Sequence, residues 1–309
     1  MAQVKFDRNY FLTIELADRS ELTIFLPATI EFNITRNILS SANNCEIRLY
    51  NLSPKNRDLI RFDFSDYGTS FRKVKLNAGY GTNLPQIFIG NINQAWSFRE
   101  GTEFVTTIQC FDGGDSFVNG AIPGTATFPA GTPMQTVYKT LMGYLPDISF
   151  GAIGDSFIYG EGGSILSTTR SSSYTGNVVE NLRALSGSAF FIDNGKSYIL
   201  GNNEYISGSI SEINSQSGLL NTPLRERNQV TLEMVFEPYL KVGQRINLET
   251  QTFSRLNSSS ENTTANVNGL YKIVSLNHKG LISGAICGKA ITTVGFFSGL
   301  APLKRVGPL

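Results

Sequence analysis

Histidine is almost missing from this chain of 309 residues: His278 is the only one. Paired-histidine zinc motifs are thereby excluded, and any Ser-His-Asp or Cys-His arrangement would have to use that single imidazole. Cysteine is scarce too, with Cys45, Cys110 and Cys287 scattered and odd in number. Cys45 and Cys110 lie on apolar faces of strand-like runs, where a thiol acts as a small hydrophobe rather than a disulfide or metal partner. Neither sign of charge dominates: 26 Lys and Arg against 25 Asp and Glu leave a net charge of +1, so no overall field points to nucleic acid or an anionic membrane. No stretch approaches the roughly 20 apolar residues that span a bilayer. The opening MAQVKFDRNYFLTIEL has no apolar signal core with a small-residue cleavage site. The expectation is a protein made and folded in a reducing cytoplasm.

Aromatic and β-branched residues, by contrast, are plentiful. Twenty-one Phe and twelve Tyr, with an apolar fraction of 41%, favour strands and supply ample core. Residues 1–118 alternate with period two. Leu12, Ile14 and Leu16 face one way, Thr13 and Glu15 the other; the same holds for Ile30, Phe32 and Ile34, for Cys45, Ile47 and Leu49, and for Val74, Leu76 and Ala78. Such alternation describes antiparallel strands with one buried and one wetter face, here enough of them for a small barrel or sandwich. One short helix interrupts them, with Ser53 as N-cap and Pro54 at the first position. Leu59 and Ile60 are placed to plug an open barrel end.

Residues 119–220 read as an α+β insert. TPMQTVYKTLMGYLP predicts a helix through Met134, Val137, Tyr138 and Leu141, with Thr132 as cap. GNVVENLRALSG predicts another through Val178, Leu182 and Leu185, followed by a hairpin turning at Asp193-Asn194-Gly195. Strands return over 221–292: Val230 to Phe236, Ile246 to Leu248, Leu270 to Leu276 and Leu281 to Cys287, with a polar loop, ETQTFSRLNSSSENTTAN, between them. Residues 293–309 read as an extended apolar tail.

Chemistry finds little purchase. GYGTNLP and GEGGSIL lack the spacing of phosphate-binding loops. Asp112 and Asp115 in DGGD lack the further ligands of a calcium loop and read as a strand-ending turn. Trp96 reads as strand packing, with sugar or base stacking as the sharper alternative. A carboxylate pair for glycoside hydrolysis is a property of the fold, not of spacing. His278, near a strand end, reads as structural. No cofactor, metal or catalytic residue is expected.

In order along the chain, several stretches resemble the baseplate hub proteins of contractile-tailed bacteriophages, which are also similar to the hub part of type VI secretion spike proteins. IEFNITRNILSSANNCEIRLYNLSPKNRDLI resembles the strand, polar turn, strand and short helix of a first tube-like domain. VKLNAGYGTNLPQIFIGNINQAWSFREGTEFVTTIQCFDG looks like its following strands. GNVVENLRALSGSAFFIDNGKSYIL is similar to an inserted helix-hairpin module, and FEPYLKVGQRINLET with NGLYKIVSLNHKG resembles a returning second barrel. The resemblance touches most of residues 28–288. It implies a mainly β chain of two tail-tube-like barrels plus helix-hairpin modules. It implies a homotrimeric ring that adapts a sixfold tail tube to a threefold spike in the virion baseplate. The ring would be assembled in the host cytoplasm with tube, spike and other baseplate proteins as partners, no membrane binding of its own, and genomic DNA as transient cargo in the channel during ejection. On this reading the tail residues Phe296, Phe297, Leu300, Leu303, Lys304 and Arg305 dock on a partner chain, the alternative being that the tail folds back on its own barrel. The alternatives are a carbohydrate-binding β-protein for host recognition and a polysaccharide hydrolase.

Overall fold

The computed structural model describes residues 5–39, 42–63, 71–210, 212–226, 229–250, 254–255, 268–284, 288–297 and 302–307. In its first half the alternating runs become β1 (Arg8–Glu15), β2 (Glu21–Phe25), β3 (Thr29–Asn37), β4 (Asn44–Tyr50), β5 (Phe62–Asp63), β6 (Lys73–Tyr80), β7 (Gln86–Glu100) and β8 (Glu103–Phe111). Their inward residues, among them Leu12, Ile14, Phe32, Ile47, Leu49 and Leu76, are buried together in a first core. Cys45 and Cys110 sit directly opposite one another on β4 and β8, buried and unbridged.

Helix α1 (Pro54–Ile60) starts as its sequence demands: the Asn56 amide donates to Ser53 Oγ at 3.3 Å, and Pro54 occupies the position that needs no donor. Ile60 is fully buried in the first core, whereas Leu59 turns outward and is exposed. Of the pair expected to plug a barrel end, only Ile60 packs into the core.

Where two closed barrels were expected, the hydrogen-bonded strands form one open, mostly antiparallel sheet. Its order runs β2-β1-β6-β7-β8-β4-β3 and then through the later strands Gly269–Ile282, Ala290–Phe297, Gln229–Val235, Leu224–Glu226 and Ser254–Arg255. Among the described residues no ladder returns from β2 to the far side; instead the Arg8 side chain donates to the Gly288 carbonyl. Pro27 follows β2 and has no amide with which to extend it.

The 14-residue strand Gly269–Ile282 replaces two separate expected strands. Its Ser275–Ile282 part pairs with β3, and its Gly269–Lys272 part pairs with Arg245–Leu248 on the same side. Gly280 lets it pass: a Cβ there would meet the Phe32 ring at 2.8 Å and Ala290 Cβ at 3.0 Å. Ile282 therefore belongs to the first core, while Tyr271, Ile273 and Leu276 belong to a second core with Val230, Leu232 and Met234.

Between the two lies a helix-bearing unit with a third core. Helices α2 (Gly114–Asn119), α3 (Met134–Met142) and α4 (Val178–Ser186) are joined by a small sheet of Ser149–Ile153, Lys196–Ile199 and Phe190–Asp193. Asn177 caps α4 by accepting the Glu180 amide at 3.1 Å. Pro133, not Thr132, is the cap residue of α3. Thr132 is engaged elsewhere: its carbonyl accepts the Thr168 amide at 2.9 Å and its hydroxyl donates to Pro129 O at 2.8 Å. The Asn194-Gly195 turn has positive φ at both residues, 52° and 74°, as a tight hairpin requires.

Candidate assembly surfaces and the joints behind them

The side of the sheet that faces away from the first core is a wall of polar and charged residues interrupted by Leu281, Trp96, Phe98 and Phe111. Register places Leu281, Glu31, Arg48, Thr107 and Trp96 in one row across five strands, and Lys279, Asn33, Glu46, Gln109 and Gln94 in the next. Each row carries one charge of each sign, Glu31 and Arg48 in the first, Lys279 and Glu46 in the second. Arg48 pairs with Glu31 at 3.3 Å and also with Glu100. The Tyr50 hydroxyl donates to Glu31 at 2.8 Å, and burial, together with that bond to Glu31, pushes its pKa up to about 12. Trp96 and Phe98 stand exposed on this wall, 38% and 39%, so Trp96 is not the packed residue its strand position suggested. Beyond the wall, β2 ends the sheet among the described residues and carries Phe25 opposite Phe11, both exposed.

A cleft of about 670 Å3 opens beside the wall, lined by Pro27, Glu31, Tyr50, Leu52, Glu103 and Leu281. It brings two carboxylates together, yet Glu31 is tied to both Arg48 and Tyr50. No group of three or more metal-ligating side chains is found among the described residues.

Buried polar joints hold the units behind this surface. Arg36 continues the inward phase of β3, and its guanidinium grips Asp193 of the hairpin through Nε at 2.7 Å and Nη2 at 2.5 Å. Asn43 Nδ2 adds bonds to Ile192 O at 3.0 Å and Asp193 Oδ1 at 3.2 Å. Asp112 accepts the Asn194 and Gly195 amides, the latter at 3.1 Å; it is thus a clamp on the hairpin turn and more than the end of a strand. In the second core, Lys272 Nζ donates to Gly201 O at 2.8 Å, and burial brings its pKa down to about 8 against the pull of Glu204. Glu204 accepts the Ser156 and Gly201 amides, both at 2.7 Å.

His278 is fully buried. Its Nδ1 lies 2.9 Å from Thr292 Oγ1, which also accepts the Glu237 amide, and Nε2 has no hydrogen-bond partner. The ring meets Phe236 edge to face at 5.6 Å. Burial, aided by Arg36, lowers its pKa to about 3, so it stays neutral as a packing residue.

The six tail residues part company. Phe296 is fully buried in the chain's own second core, on Ala290–Phe297, where it pairs with Val230 and Ile273. It has no surface to offer a partner, because the strand continues four residues past the expected start of the tail at 293 and turns Phe296 inward. Nothing is described of the Phe297 side chain, and Leu300 lies outside the described residues. Leu303 is half-buried. Lys304 and Arg305 pair in parallel with Glu204 and Tyr205 of the same chain, their side chains exposed, and Val306 is buried in the second core.

Comparison with known proteins agrees with this architecture. A tail protein of Neisseria meningitidis MC58 superposes with a TM-score of 0.52 at 9% identity, over 94% of this chain and 96% of that one. The 43 kDa tail protein of prophage MuSo2 from Shewanella oneidensis gives 0.55 at 8% identity, over 93% and 96%. At these identities the likeness is one of fold. No curated protein matches the chain by sequence. The family model described as baseplate hub gp41 matches residues 12–278, and the chain belongs to that baseplate hub family.

Proposed function

We propose that three copies of this chain form a ring in the tail baseplate, joining the sixfold tail tube to a threefold spike around the DNA exit channel. The observation that carries the reading is the family match over residues 12–278, taken with one sheet that passes over two cores in succession. Two tube-like modules per chain would let three chains offer a tube six similar faces. The helix-bearing unit, present once per chain, would break that sixfold repeat and meet the spike or the surrounding baseplate. The mixed-charge wall suits a conduit for DNA, because a strongly basic lining would bind phosphates and slow passage. Strand β2, the end of the sheet among the described residues, would be covered on assembly. The exposed side chains of Lys304 and Arg305, together with Leu303, remain available to a partner.

Native mass spectrometry of the purified chain, alone and with its tail-tube protein, tests the proposal. Three copies in the ring and attachment to tube ends are expected. A monomer that stays single and never binds tubes would contradict it.

A further inference from the structure

The cleft beside the wall carries an unbalanced charge. Glu31 and Glu103 line it together with Tyr50, and Pro27, Leu52 and Leu281 form its apolar part. Glu100 adjoins it, opposite Glu103 at the tip of the β7–β8 hairpin and linked to Glu31 through Arg48. Three carboxylates there meet one guanidinium. Register puts Arg99 and Phe104 on the other face of the hairpin, where the Arg57 guanidinium of α1 stacks on the Phe104 ring at 4.0 Å. Glu103 is exposed and accepts a long bond, 3.4 Å, from Asn51 Nδ2.

The opposite imbalance stands on the second core. Backbone pairing with Glu204 and Tyr205 and the burial of Val306 fix Lys304 and Arg305 in place. Both basic side chains are exposed, and neither is ion-paired among the described residues. Glu204, the ladder partner of Lys304, commits its carboxylate to the Ser156 and Gly201 amides. Leu303, just before the two cations, is half-buried, so part of it still faces water.

We propose that Leu303-Lys304-Arg305 of one copy docks in the acidic cleft of the next copy, which rests on the ring proposed above and names two surfaces that meet in it. Charge selects the occupant. A surplus of carboxylates repels the phosphates of DNA and calls for cations. Two adjacent cations preceded by an aliphatic side chain match Glu100 and Glu103 beside an apolar patch. Arg305 offers a carboxylate a planar fork, and Lys304 a mobile point charge. Complementary charge of this kind fixes partner choice and register. The cleft belongs to the first core and the basic segment to the second. A contact between two unlike patches of one chain is heterologous, and it generates a ring when its rotation closes. Docked at the end of the wall, the segment leaves the row from Lys279 to Gln94 uncovered.

The test is a zero-length carbodiimide cross-link between carboxylates and amines. It is made in the natural full chain, assembled with its tail-tube protein from an equal mixture of unlabelled and isotope-labelled copies. Lys304 joined to Glu100 or Glu103 in peptide pairs of mixed label is expected. Charge reversal gives a second reading by native mass spectrometry. Lys304→Glu with Arg305→Glu, or Glu100→Lys with Glu103→Lys, should each weaken ring assembly about tenfold or more. The chain carrying all four substitutions should regain it. Should a variant not fold, the cross-link in the natural protein decides. Rings without the mixed-label link, or reversals that change nothing or fail to repair each other, overturn the contact and leave the ring standing. A chain that stays single with tubes present overturns both.

Discussion

Removing Arg36 should damage this protein more than removing its partner. The Arg36–Asp193 pair is bidentate, and the two side chains are only 3% and 4% exposed. Breaking a buried pair leaves a charge without compensation and costs about 3–5 kcal/mol. Arg36→Met strands two carboxylates, Asp193 and Asp112, in one site and belongs at the upper end of that range. Asp193→Asn leaves Arg36 with Asp112 still nearby and Asn43 still able to bond the hairpin, and belongs at the lower end. The double variant Arg36→Met, Asp193→Asn removes both charges and should cost clearly less than the sum of the singles. Urea unfolding followed by circular dichroism, at fixed protomer concentration and pH 7.5, measures all three. Singles costing below about 1 kcal/mol, the range of exposed ion pairs, or strict additivity, would refute the reasoning.

Other outcomes follow from single side chains. His278 stays neutral when folded but takes a proton near pH 6.5 when unfolded, so acidification below 6.5 should cost stability at up to about 1.4 kcal/mol per pH unit, down toward pH 3. His278→Gln should remove that loss relative to the natural protein as pH falls below 6.5; parallel pH profiles would argue against a buried neutral imidazole. Gly280→Ala should lose about 1–3 kcal/mol in thermal or urea unfolding, because its methyl group runs into Phe32 and Ala290. Burial raises the thiol pKa of Cys45 and Cys110, so in a Cys287→Ser background neither should react with a thiol reagent until the chain unfolds; prompt labelling at pH 8 would show an open core.

Much of the fold was legible wherever a local period carried it. The alternation around Ile30, Cys45 and Val74 places the same residues inward in the sequence and in the first core. The Ser53-Pro54 cap and the Asn194-Gly195 turn formed as their chemistry requires. What local pattern could not supply was connection at a distance. Nothing near Leu276 says that one strand continues to Ile282 and serves two cores, since the glycine at 280 looks like a turn until Phe32 is seen against it. Phe296 looked like a wet tail residue because its strand partners lie 66 and 23 positions away, at Val230 and Ile273. The joints were hidden for the same reason, Arg36 and Asp193 being 157 positions apart. One signal was present: Arg36 falls on the inward phase set by Ile30, Phe32 and Ile34, and an inward arginine calls for a buried anion.

A reconstruction of the tail baseplate by electron microscopy, computed without imposed symmetry, tests the ring most directly. Three copies of this chain should encircle the channel at the end of the tube, with six similar tube-facing modules and three helix-bearing units. A single copy, six whole copies, or density for this chain away from the tube axis would contradict that account.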